Sequence, residues 1–159
     1  MLTFSQMLIR FLIALLLGAV IGLEREMSGR EAGVRTSMLV SSGAAIFAII
    51  ALTLPYIVAL SPDNLAEVIA RNSGFLGIIA NIVVGVGFLG AGIIFKVKDG
   101  EHVRGLTTAA TVWITAAVGT LVGIGLINFA TIVAVFSTLS LYFLKKVKLF
   151  EKIRPTDAD

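Results

Sequence analysis

Five long apolar runs dominate the chain, at about Phe4–Leu23, Met38–Leu60, Gly74–Phe95, Thr107–Ile124 and Leu126–Leu144. None alternates apolar and polar with a period of two, so the pattern predicts helices rather than strands, and an odd set of such segments could not close a barrel. As a helix, a run of ~20 residues spans a hydrocarbon layer of about 30 Å. The expected fold is all-α: a polytopic membrane protein with five transmembrane helices filling residues 1–144, followed by a short basic-then-acidic tail over 145–159.

The connections carry recognisable punctuation. Pro55 predicts a kink or early stop in the second run. Ser61 and Pro62 look like the cap and first position of a short amphipathic surface helix bearing Leu65, Val68 and Ile69. Lys98-Asp99-Gly100-Glu101 reads as a turn. Arg10 lies inside the first run, either as a functional charge or, as is more often the case, with its long side chain snorkelling to the outer headgroups; if the hydrocarbon segment begins after Arg10, the helix must continue past Leu23 to span, bringing Glu24 and Arg25 to the inner membrane edge. A cleavable leader is not expected, because the basic start and Ala-x-Ala exit are missing.

Composition agrees with a bilayer environment: 57% of residues are hydrophobic, 14% are charged and the mean hydropathy is +0.99. Without cysteine, no disulfide or thiolate metal site is available. The charges are unevenly placed: eleven Lys and Arg fall in the connections after the first and third runs and in the tail, and only Arg10 and Arg71 on the other side. The positive-inside rule then puts the N-terminus outside and the tail in the cytosol, where its lysines suit anionic lipid rather than nucleic acid.

The densest polar stretch runs from Gly22 to Thr36, with Glu24, Arg25, Glu26, Arg30, Glu31 and Arg35. Glu26/Arg30 and Glu31/Arg35 would pair at i, i+4 if the stretch is helical, but Gly29 and Gly33 argue for an interruption. Three acids and three arginines cancel, so the patch suggests either a structural network or a position-sensitive site at the membrane edge. In the third run Gly74, Gly77, Asn81, Gly85, Phe88 and Gly92 share an arc of about 80°, with Gly87 and Gly90 opposite. Small residues on two faces predict a central helix approached by two neighbours, with Asn81 either interhelical glue or part of a substrate path.

Gly85-Val86-Gly87-Phe88-Leu89-Gly90 matches a dinucleotide fingerprint, but inside a membrane run it lacks the required strand and is set aside. Ala14/Gly18/Gly22 and Thr107/Thr111/Thr115/Gly119/Gly123 form inclined small-residue ridges suited to close helix crossing. The threonine hydroxyls are expected to bond back to their own helix rather than line a path. His102 is the single histidine, in a loop, and no nucleophile–base–orienter set can be assembled, so an enzyme is not expected.

GLEREMSGREAGVRT after the first run, VGVGFLGAGIIF in the third and VRGLTTAAT entering the fourth resemble, in order and spacing, the MgtC/SapB family of bacterial inner-membrane proteins. The resemblance assigns Glu24, Arg25, Glu26, Gly29, Arg30, Gly33, Arg35 and Thr36 to a charged motif. It assigns Gly85, Gly87, Phe88, Leu89, Gly90, Ala91 and Gly92 to a glycine motif, and Arg104, Gly105, Leu106, Thr107 and Thr108 to a third. The chain departs from the family in having Gly74-Phe75-Leu76-Gly77 in place of Asp-Pro-x-Arg, Asn81 in place of glutamine and Ser37 in place of histidine. No segment here corresponds to the soluble C-terminal regulatory-type domain of many members.

The resemblance implies a role in growth at low magnesium, in virulence, or in inhibition of the membrane ATP synthase. The leading expectation is a homo-oligomeric membrane protein in magnesium or ion homeostasis that contacts another membrane protein, such as an ATP synthase or transport ATPase. The alternative is a magnesium or other cation transporter or channel formed by a homo-oligomer, with Asn81, Thr107 and Thr111 lining a path beneath Glu24 and Glu26, the two candidate magnesium ligands.

Overall fold

A computed structural model describes residues 2–59, 65–71, 74–96 and 103–146. In chain order its elements are α1 (Phe4–Met27), α2 (Val34–Val58), α3 (Leu65–Arg71), α4 (Gly74–Ile93), β1 (Phe95–Lys96), β2 (Val103–Arg104), α5 (Leu106–Ile124) and α6 (Ile127–Lys146). Helices α1, α2, α5 and α6 are long and apolar enough to cross a membrane, and α4 is a shorter apolar helix over Gly77–Ile93. The chain is a helical, multi-pass membrane protein.

Local chemistry sets the helix ends. Thr3 opens α1 with a capping box: its hydroxyl accepts from the Gln6 N–H at 3.3 Å while Gln6 Oε1 accepts from the Thr3 N–H at 3.0 Å. The same helix continues past Leu23 to Met27 and closes in a Schellman turn. There Gly29 is left-handed (φ +65), with Gly29 N–H bonded to Glu26 O and Arg30 N–H to Arg25 O, both at 3.0 Å. Helix α5 ends likewise on Gly125, with Leu126 N–H bonded to Leu121 O at 2.8 Å. Pro55 does not stop α2, which runs on to Val58 with Pro55 buried inside it. Helix α3 forms on the expected segment, whereas Ser61, Pro62, the turn at Lys98–Glu101 and His102 lie outside the described residues.

Helices α2 and α5 form the centre of the bundle. Helix α1 packs on both, α6 on α1 and α5, and α4 on α5 and α2. The small-residue ridges make this crossing possible. A Cβ at Gly18 would lie 2.5 Å from the Ser37 carbonyl oxygen, one at Gly123 2.6 Å from that of Ala45, and one at Gly119 would collide with that of Ser41. Around these contacts Ala14, Ile21, Ala45, Val118, Val122, Ala130 and Ala134 form the tightest core. Hydrocarbon tails are as apolar as these side chains, so close packing rather than water exclusion holds such helices together.

Two features differ from expectation. Helix α4 is peripheral, not central: Val86 and Gly90 turn inward, Gly90 toward Ala109, while among the described residues Gly77, Gly85, Gly87 and Gly92 have no atom within 4 Å of where a Cβ would stand. The connection after α4 also contains a short antiparallel ladder, Phe95 opposite Arg104 and Lys96 opposite Val103, that apolar periodicity cannot reveal. The turn back into α5 is made by Gly105, whose left-handed backbone (φ +88) and contact with the Ile93 carbonyl leave no room for a side chain.

Candidate functional site

The continuation of α1 beyond Leu23 carries two charges into the protein. Glu24 and Arg25 retain only 7% and 3% of their surface exposure. The Arg25 guanidinium approaches Glu24 Oε2 at 3.7 Å and donates to Thr108 Oγ1 on α5 at 3.2 Å. Ser28, one turn after Glu24, donates its hydroxyl proton to Glu24 Oε1 at 2.7 Å and accepts from Lys145 Nζ of α6 at 3.1 Å. A continuous polar chain therefore ties α5, α1 and α6 together at one end of the bundle. Its charges are paired but incompletely satisfied, since Glu24 Oε2 and Arg25 Nε are buried without a hydrogen-bond partner. Burying such a pair is costly, and removing one member leaves the other uncompensated.

The rest of the charged stretch is arranged differently from an i, i+4 network. Helix α1 has ended by Ser28, so Arg30 through Gly33 lie in the turn to α2 and helical spacing no longer applies. Neither Glu26/Arg30 nor Glu31/Arg35 forms an ion pair within 4.0 Å among the described residues; Arg30, Glu31, Arg35 and Thr36 are exposed. Glu26 has a defined task instead. Its Oε2 accepts from the Val34 N–H at 2.9 Å and caps α2, whose own N-cap, Gly33, has no side chain to offer. Gly33 is small for the same reason, because a Cβ there would meet that carboxylate at 2.7 Å. A carboxylate is also favoured at this positive end of the helix.

At the level of the apolar segments the exposed face of α4 and the adjoining side of α2 enclose a groove of about 630 Å³. Leu39, Gly43 and Phe47 form one wall; Ile78, Asn81 and Gly85 form much of the other. Asn81 is exposed, and its amide makes no hydrogen bond within the described residues. Phe88 stands out next to the groove with 82% of its surface exposed, and Gly87 and Gly92 are likewise outward.

Of the third motif, Arg104 is exposed on β2, Gly105 makes the turn, Thr107 is exposed and Thr108 holds Arg25. Thr111 and Thr115 are buried and donate to the carbonyls of Thr107 and Thr111, both at 2.7 Å, the back-bonding expected of helical threonines. Asn81 lines the groove between α2 and α4, whereas Glu24 borders a separate wedge beside α6. Glu24 and Glu26 are likewise turned to different tasks. No cluster of three or more metal-ligating side chains occurs among the described residues.

Three participants were missed by sequence reasoning. Ser28 had a local signal, lying at i+4 from Glu24. Lys145 had none, since its partner is 117 residues away. Arg10 does not simply reach for headgroups: it donates to the Gly123 carbonyl at 2.7 Å, capping the C-terminal end of α5.

The sequence profile of the MgtC family matches residues 11–150. Protein MgtC of Brucella abortus (strain 2308) is 46% identical over 123 residues, 77% of this chain and 44% of that protein. For Protein MgtC of Salmonella typhimurium (strain LT2) the identity is 43% over 118 residues, covering 74% and 43%. Protein SrpB of Synechococcus elongatus is 40% identical over 151 residues, 91% of this chain and 78% of that protein. The chain thus spans less than half the length of these MgtC proteins. No solved structure matches it significantly. On the family profile and the identity of these relatives, the chain belongs to the MgtC family.

Proposed function

We propose that this chain acts in magnesium or ion homeostasis as a bacterial inner-membrane protein that binds and regulates another membrane protein, such as an ATP synthase or transport ATPase, and that it does so as a homo-oligomer. The four long apolar helices and the shorter α4 all cross the membrane, with the end that carries Glu24, Arg25 and Lys145 in the cytosol. The observation that carries the reading is the groove between α2 and α4. A helix seated there would meet backbone at Gly43 and Gly85, where no atom of the described residues lies within 4 Å of a Cβ position, and the amide of Asn81, which has no hydrogen bond among the described residues. Close approach at glycine and one interhelical amide contact, worth about 0.5–2 kcal/mol, are the means by which membrane helices recognise each other.

The transport reading has less support. Magnesium holds its waters tightly and favours carboxylates, whereas the groove offers one amide in an otherwise apolar lining. The two acids nearest the membrane edge are occupied in pairing with Arg25 and in capping α2.

Two measurements decide between them. A photo-cross-linking residue at Gly85 should give a discrete adduct in cells, while the same residue at Leu16, exposed on α1, should not. Purified protein in liposomes should pass magnesium no faster than empty liposomes do. Magnesium flux abolished by Glu24→Gln would overturn the proposal in favour of a transporter.

A further inference from the structure

We infer that the cleft between the C-terminal halves of α1 and α6 is a binding site for one anionic phospholipid. This goes beyond a general attraction of basic residues to the membrane surface, because the cleft has a shape and a polarity that match a single lipid. Helix α6 is held to the bundle by its first half, where Ala130 and Ala134 are buried; from Val135 to Lys146 no residue is buried. The two helices thus part toward the end that carries the lysines, and a wedge of about 640 Å³ opens between them.

The wedge is amphipathic along its length. Val20, Leu23 and Leu139 line its deeper part with Thr138, whose hydroxyl donates to the Ala134 carbonyl at 2.8 Å, and Ser28, Lys145 and Lys146 stand at its mouth. That is the order of groups in a phospholipid, acyl chain below and phosphate above. Glu24 also borders the wedge, but its charge is already answered by Ser28 at 2.7 Å and Arg25 at 3.7 Å. The lysines have no such answer among the described residues. Lys145 donates to the Ser28 hydroxyl, Lys146 lies 6.0 Å from the centre of the Tyr142 ring, and neither meets a carboxylate within 4.0 Å among the described residues.

A surplus of positive charge over an apolar slot selects an anionic amphiphile. Free phosphate would leave the slot unfilled. A second copy seated symmetrically would set lysines against lysines. The lipid would rest on both α1 and α6 and brace the junction where the polar chain from Arg25 through Glu24 and Ser28 reaches Lys145.

The test uses the full chain purified in detergent and titrated with dioleoylphosphatidylglycerol or dioleoylphosphatidylcholine, the bound lipid being counted by native mass spectrometry. One phosphatidylglycerol should bind, roughly tenfold tighter than phosphatidylcholine, and excess inorganic phosphate should not displace it. Lys145→Gln with Lys146→Gln should weaken binding by roughly tenfold. Leu139→Trp, which keeps the charges but fills the slot, should weaken it comparably. Arg30→Gln with Arg35→Gln, which removes two exposed charges outside the cleft, should leave it unchanged. Equal binding of both lipids, an equal loss in the Arg30/Arg35 variant, or undiminished binding to Leu139→Trp each overturns the site.

Discussion

Arg10 shows how one residue in an apolar run can be put to structural use. Its guanidinium satisfies a carbonyl that the end of α5 leaves open and places a cation at the negative end of that helix. Arg10→Met should therefore lower stability by about 1–2 kcal/mol, read as a fall in the thermal midpoint in detergent. Arg25 should matter more. Arg25→Leu strands the buried Glu24 carboxylate and should cost ~3–5 kcal/mol, and adding Glu24→Gln should recover part of the loss, since an amide can be buried without an uncompensated charge. A double-mutant cycle measures that recovery; strictly additive losses would mean the two charges do not depend on each other. The Gly22–Thr36 stretch was legible as the polar centre of the molecule. The division of labour inside it was not, because whether Glu24 is buried or Glu26 caps a helix depends on which elements arrive from elsewhere in the chain.

Among the helices, identical residue types have opposite meanings on different elements. Gly119 and Gly85 both lie in apolar helices, yet a methyl group at Gly119 would strike the Ser41 carbonyl of α2 and one at Gly85 would meet nothing among the described residues. Gly119→Ala should destabilise the fold by about 1–3 kcal/mol through overpacking between α2 and α5. Gly85→Ala should leave the fold intact or slightly firmer, since alanine is the better helix former by about 1 kcal/mol. Unfolding followed by circular dichroism separates the two; a loss at Gly85 equal to that at Gly119 would mean that α4 is packed on both faces. The inclined ridges of α1 and α5 correctly indicated close crossing. For α4 the same argument named the wrong position in the bundle, because a glycine face records only that a backbone can be approached, not that this chain supplies what approaches it.

For the whole molecule, the contacts Arg25–Thr108 and Lys145–Ser28 bring the end of α1, the start of α5 and the end of α6 together. The absence of cysteine makes the orientation directly testable. A membrane-impermeant maleimide should label Thr3→Cys in intact cells and Arg30→Cys only after permeabilisation; the reverse pattern would invert the proposed topology. The sequence by itself determined the class of molecule, a helical multi-pass membrane protein, because segment length and apolar character are properties of the chain taken one residue after another. Only the tertiary structure decided that α2 and α5 are central, that α4 turns a groove outward and that α6 parts from α1 around a polar chain. The physical reason lies in the solvent. In water, a helix betrays its buried face by being apolar there and polar elsewhere, but among hydrocarbon tails every face is apolar, and inside and outside differ only by what packs against them.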